Sequence, residues 1–295
     1  MQKDKTIFYH FLTAITVIVW GVTFVSTKVL INKGLSSIEI FFYRFLLAYF
    51  CILFISHNKI WSNSRKDEFL LFLCGLSGGS LYFIAENTAL GITLASNVSL
   101  LICTAPIFTI LLSFLVDKTS IQRNMILGSI VALFGVALVV YNGNFVFKIN
   151  PLGDMLTIFA AIMWAVYCLI LKRLSLRYDT LFITRKVFFY GILSLLPYFL
   201  FHPLKIKTEL LSQPVVYLNL LFLGLIASML CFIMWNYAVK KLGTTKTANY
   251  IYIVPLITIL TSKIILNEPV TIISLIGALC IIGGVYTAEK KSMNK

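Results

Sequence analysis

Two stretches of this chain, GLSGGSLYFIAENTAL at 75–90 and GLIASMLCFIMWNYAV at 224–239, align on one another without a gap. The register then holds for about sixty residues, the mark of an internal duplication. It sets Asn87 against Asn236, Pro106 against Pro255, TILLS at 109–113 against TILTS at 258–262, Gly128 against Gly277 and Gly135 against Gly284. Upstream the match needs a few gaps, yet WGVTFVSTKVL at 20–30 still falls on WAVYCLILKRL at 164–174, and Arg44 falls opposite Arg185. Apolar helices resemble one another by chance, but they do not share Pro, Asn and Gly at one offset. The chain therefore reads as two copies of one unit, 1–145 and 146–295.

Composition says what kind of unit this is. The 295 residues are 59% hydrophobic and 12% charged, with a mean hydropathy of +0.93. Soluble domains carry roughly 25% charged residues, so a water-soluble globule is excluded. A bilayer core needs about 20 apolar residues per helix, and about ten windows of that kind occur. They lie near 8–31, 38–56, 69–90, 96–116, 124–141, 153–171, 182–201, 216–239, 248–266 and 271–288. The fold expected is an all-α polytopic membrane protein of ten transmembrane helices. Each copy holds five, and because five is odd the second copy enters the membrane from the opposite side, giving inverted repeats. That architecture is typical of secondary transporters, with a substrate site near the midplane between the copies.

The links are short, and the longest hydrophilic one, HNKIWSNSRKDE at 57–68, cannot fold alone. The first apolar run is too long for a signal-peptide core and lacks a small-residue cleavage pattern, so it is expected to stay as the first span. A net charge of +14 raises the question of nucleic acid, but Lys and Arg punctuate span ends and form no ordered basic face. With the N-terminus inside, alternate links and both tails hold Lys59, Arg65, Lys66, Lys118, Arg123, Lys172, Arg173, Arg177, Lys240, Lys241 and Lys246 among others. The opposite side keeps only Lys33, Lys148, Lys205 and Lys207. The positive-inside rule then puts both termini in the cytoplasm of a multi-pass protein of the cell membrane, the inner membrane if the source is bacterial. The six cysteines all fall within spans and share no metal-ligand spacing, so they read as small core residues.

At this point the sequence resembles the drug/metabolite transporter superfamily and its EamA-type ten-helix transporters. The resemblance rests on Trp20-Gly21 in the first span, Arg44 in the second, Pro106 in the fourth, Pro255 in the ninth and NEPVTIISLIGALCIIGGV at 267–285. It implies the fold already derived and export of a small metabolite, related members carrying amino acids, nucleotide-type metabolites, drugs or dyes. One departure is that the family's acid before the last helix of each repeat is Glu268 in the second half but Thr119 in the first.

Of the eleven acidic residues only Glu86 lies well inside an apolar run. Span three exits near Leu90, which places Glu86 roughly 6 Å below the outer boundary at 1.5 Å per residue. Arg44 has a similar depth, and Lys28 and Lys263 lie in the same half. Buried ionisable groups face a cavity or one another, so Glu86 is expected to pair with Arg44, Lys28 or Lys263, or to meet the substrate, with or without carrying a proton. The bland alternative is a structural salt bridge. Lys172, Arg185 and Lys186 are expected to snorkel to the cytoplasmic interface. Pro106 and Pro255 should each free a carbonyl and kink a helix beside the cavity, and are candidate helix-kink residues. Asn87, Asn236, Tyr250 and Tyr252 complete the candidates for substrate binding or coupling, while the Gly128, Ala132, Gly135 and Gly277, Gly284 stripes suit close helix packing.

The function read from these features is a secondary active exporter of small metabolites, amino-acid-like or drug-like, working by alternating access. A polytopic membrane enzyme and a channel are the alternatives. No H-E-x-x-H, paired-Asp or G-x-S-x-G pattern occurs for the first, and no filter loop or charge ring for the second. No catalytic residue, cofactor or metal is expected. The expected partners are a small-molecule substrate, a proton if transport is coupled to one, and the lipid bilayer, with the chain a monomer or homodimer and no nucleic acid bound.

Overall fold

The structure is a computed structural model describing residues 2–57, 59–93, 95–118, 122–141, 150–202, 204, 208–266 and 272–289. Among these residues ten main helices follow one another with short links, one of which carries an extra helical turn at Thr208–Leu211. The first repeat holds α1 (Gln2–Asn32), α2 (Ser37–Ile55), α3 (Arg65–Ile92), α4 (Ala95–Ile102 and Ala105–Asp117) and α5 (Arg123–Tyr141). The second holds α6 (Pro151–Leu174), α7 (Thr180–Phe201), α8 (Pro214–Leu242), α9 (Thr244–Leu266) and α10 (Ile272–Glu289). Eight are long and apolar enough to cross a membrane, and α5 and α10 contribute the shorter apolar stretches 123–138 and 276–288. Side-chain caps set the starts. Ser36 and Glu39 form a reciprocal capping box at α2, while Ser64, Asn150 and Asp179 cap α3, α6 and α7.

The duplication is visible in the backbone as well as in the letters. Both third helices are interrupted at matching positions by a π-helical segment, Leu76–Leu81 in α3 and Phe222–Leu230 in α8. A π turn holds an extra residue and shifts carbonyls out of the α ladder. Ala227 O in the second segment is taken up by Trp20 Nε1 of α1 at 3.0 Å. Glycine is needed on the first, since a Cβ on Gly78 would lie 2.3 Å from the Tyr167 ring.

Both fourth helices break outright where the sequence suggested a kink. α4 stops at Ile102, turns through Cys103 and Thr104 and restarts at Ala105. α9 passes through a 3-10 turn at Tyr250–Ile253 and restarts at Val254. Pro106 and Pro255 thus sit in the first turn of a fresh helix, where a missing N–H costs nothing. The two breaks meet, with Cys103 Sγ donating to Ile251 O at 3.5 Å.

Contacts between repeats are reciprocal. α3 packs on α6 as α8 packs on α1, α4 on α6 as α9 on α1, and α2 on α8 as α7 on α3, while α2 meets α7 and α5 meets α10 about the pseudo-twofold axis. The α5–α10 crossing is backbone to backbone. A Cβ on Gly128 would lie 2.4 Å from Ala288 N, and one on Gly284 would lie 2.5 Å from Ala132 N. Small-residue stripes of this kind let helices approach without any chemistry of their own.

Three expectations change. The caps Ser36 and Asp179 align the second helices so that Arg44 matches Val187, and Arg185 has no counterpart role. Arg185 and Lys186 do not snorkel. Both are 4% exposed, Arg185 donating to the carbonyls of Ser56 and Lys59 and Lys186 pairing with Glu68. Asp67 and Glu68, read as link residues, lie in the first turn of α3 because the 57–64 link folds back over α7. Asp67 binds Arg177 Nη1 and the Tyr178 hydroxyl, each at 2.8 Å, and Glu68 accepts from Tyr190 and from Ser62 N. An ionic network therefore ties the start of α3 to α7 and to the α6–α7 link.

Candidate functional site

At the centre, where α1, α2, α3, α4, α6, α8 and α9 converge, lies a narrow cavity. Its walls come in repeat-related pairs: Trp20 with Trp164, Phe83 with Phe232, Ile102 with Ile251 and Ala105 with Val254. The last two pairs flank the breaks in α4 and α9, so the interruptions put backbone next to open space. Trp20 and Trp164 meet edge to face with ring centroids 5.1 Å apart, and Phe232 packs against both. Such contacts stiffen an apolar wall.

The polar equipment is one-sided. Thr23, Arg44, Tyr82 and Glu86 also line the cavity, and all come from the first repeat. The matching positions of the second repeat carry Tyr167, Val187, Cys231 and Trp235. Glu86 is 6% exposed, and one of its oxygens accepts from Tyr82 OH, one turn earlier on α3, at 3.1 Å. Arg44 is 2% exposed. Its Nε donates to Ser228 Oγ in the π segment of α8 at 2.9 Å, and its guanidinium carbon lies 4.2 Å from the centre of the Phe83 ring. Among the described residues no ion pair joins Arg44 to Glu86. Each charge is held by a third group, and both face the same space.

The other candidates lie elsewhere. Lys28 does not reach Glu86, because its ammonium caps the end of α3 by donating to the carbonyls of Leu90 and Thr93. A cation suits the negative end of a helix dipole. Lys263 is exposed. At about 100° per residue it falls on the side of α9 opposite Val254, away from the cavity. Asn87 is turned from Glu86 by the same step and donates to Ser37 O at 3.1 Å, tying α3 to α2. Asn236 sits between Tyr167 OH at 2.6 Å and Thr184 Oγ1 at 2.8 Å, a buried structural bridge. Tyr250 shares a hydrogen bond with His10 Nδ1, 2.8 Å away, and Tyr252 is fully buried in the core and is not part of the wall. Thr119 and Glu268 lie outside the described residues.

The residues that sequence reading missed are Thr23, Tyr82, Phe83, Trp164, Phe232 and Ser228. Two signals pointed to some of them. Tyr82 is four residues before Glu86 and so on its face of the helix, and Trp164 is the repeat partner of Trp20.

With the cavity described, similarity to known proteins bears on it. The chain is 29% identical over 290 residues to an uncharacterized transporter of Archaeoglobus fulgidus, covering 96% of this chain and 97% of that one. It is 26% identical to a probable amino-acid metabolite efflux pump of Salmonella typhimurium, covering 94% and 93%. It is also 26% identical to a probable terminal-alkyne amino-acid exporter of Streptantibioticus cattleyicolor, covering 78% and 76%. A solved crystal structure superposes with a TM-score of 0.73 at 16% identity over 97% of this chain and 96% of its own, a likeness of fold. The family model for the EamA-like transporter family matches residues 7–141 and 151–288, one repeat each, and the chain belongs to that family.

Proposed function

We propose that the protein is a secondary active transporter that exports small metabolites, amino-acid-like or drug-like compounds, by alternating access through the central cavity. The observation that carries this reading is the pairing of the cavity walls across the two repeats, with a helix break beside each. A frame built of two copies with opposite orientation has two related arrangements, and exchanging them moves the opening from one membrane face to the other. The relatives named for amino-acid export support the cargo and the direction. Both termini and the 57–68 link face the cytoplasm, as the basic links indicate, so the ionic network of Asp67, Glu68, Arg177 and Lys186 ties helices together on the cytoplasmic side.

Purified protein in liposomes tests this. Vesicles preloaded with unlabelled amino acids should take up labelled leucine faster than empty ones, and the uptake should saturate. Flux without saturation or acceleration by internal substrate makes the protein a channel, and chemical conversion of the substrate makes it an enzyme. Coupling is read in the same vesicles. Glu86→Gln that loses pH-driven accumulation and keeps exchange marks Glu86 as the proton carrier, whereas weaker affinity in both assays marks it as a substrate ligand.

A further inference from the structure

Two opposite charges lining one buried cavity normally form a direct ion pair, because leaving either alone in low dielectric is expensive. Arg44 and Glu86 do not. Arg44 is held back by Ser228 and stacked on Phe83, and its terminal nitrogens make no hydrogen bond among the described residues. Glu86 is held by Tyr82 through one oxygen. The site is neutral in sum and split in space, and each half is fixed before any ligand arrives, which lowers the ordering cost of binding.

We infer that the cavity binds a zwitterion end to end, its carboxylate on the Arg44 guanidinium and its ammonium on the free oxygen of Glu86, with an apolar side chain against Phe232 and the paired tryptophans. This rests on the transporter reading and adds to it the residues that recognise each end and a rule for charge. A ligand carrying only a cation leaves Arg44 buried and unanswered, and one carrying only an anion does the same to Glu86. Guanidinium is suited to the carboxylate end, since its planar fork matches both oxygens. The absence of matching charges in the second repeat makes this clamp a feature of one wall, so the ligand lies in a single orientation.

The test compares three probes of one shape: leucine, leucinamide, which lacks the anion, and 4-methylpentanoate, which lacks the cation. Their binding is read by the thermal stability of the detergent-purified full chain and by competition in the vesicle exchange assay. Leucine should bind about tenfold to a hundredfold more tightly than either relative, the size of one lost charge-assisted hydrogen bond. Glu86→Gln should invert the preference toward 4-methylpentanoate, and Arg44→Gln toward leucinamide. Equal binding of the three probes by the parent, or binding of none, overturns the clamp without recourse to any variant. So does a folded Glu86→Gln protein that still prefers leucine to the same degree. The two readings fail separately. A parent that selects leucine but exchanges nothing across vesicles refutes the carrier and keeps the clamp, and one that exchanges substrate yet binds all three alike does the reverse.

Discussion

Trp20 of α1 donates its indole N–H to Ala227 O in the π segment of α8, 3.0 Å across the boundary between repeats, whereas its twin Trp164 donates to nothing among the described residues. Identical residues in equivalent places thus carry different loads. Trp20→Phe removes a hydrogen bond that links the two repeats, costing about 1 kcal/mol beyond the lost ring area, whereas Trp164→Phe removes no bond. Thermal unfolding of the two variants should separate by several degrees. Equal losses would mean that the hydrogen bond contributes nothing.

The pair between Lys186 and Glu68 has side-chain exposures of 5% and 18%. Glu68→Ala strands the ammonium among Trp61, Phe182, Phe189 and Tyr190, and should cost about 3 kcal/mol. Replacing both partners, Glu68→Leu with Lys186→Met, should recover most of that. A double variant no more stable than the single one would show that the loss comes from packing.

Glycines in α10 should differ sharply within one turn. Gly284 faces the backbone of α5, so Gly284→Ala forces the helices apart and should cost about 2 to 3 kcal/mol with a lower folded yield. Nothing lies within 4 Å of a Cβ on Gly283, where alanine should be neutral or slightly stabilising through helix propensity. Similar behaviour at both positions would contradict the close α5–α10 crossing.

Orientation is checked with a cysteine introduced at Asn63, which is exposed in the folded-back link, in a variant without native thiols. Membrane-impermeant maleimide added to intact cells should leave it unlabelled and should label it after permeabilisation. Efficient labelling in intact cells would reverse the topology.

Pro255 begins a helix after a 3-10 turn, so Pro255→Ala lets the two pieces of α9 merge into one α-helix. Exchange in vesicles should fall more than folded yield, and Pro106→Ala should act in the same direction on α4. Full exchange in both variants would assign the breaks a purely structural role.

Much of the architecture was legible because a duplication repeats its punctuation: Pro106 and Pro255 mark the breaks, and Gly128 and Gly284 sit where two helices touch. The site was only half legible. Charge inside an apolar run singled out Glu86 and Arg44, but Phe83 and Phe232 have the hydropathy of any core residue, and nothing local marks them as a wall. Lys263 points away from the cavity, an azimuth that only packing against α1 fixes. Asp67 and Glu68 looked like link residues because hydropathy cannot register that a polar link folds back to cover them.

Reciprocal packing makes each repeat depend on the other for its interior. The faces of α3 and α4 that α6 covers, and the face of α2 that α8 covers, have no partner until the second half exists. At 5–20 residues per second the ribosome needs roughly 7 to 30 s to supply it, and through that interval the first five helices wait in the lipid with Arg44 and Glu86 uncovered. The two copies are units of ancestry and not of folding. Equilibrium unfolding should accordingly proceed in a single cooperative step, and the first half made alone should be a substrate for membrane quality control.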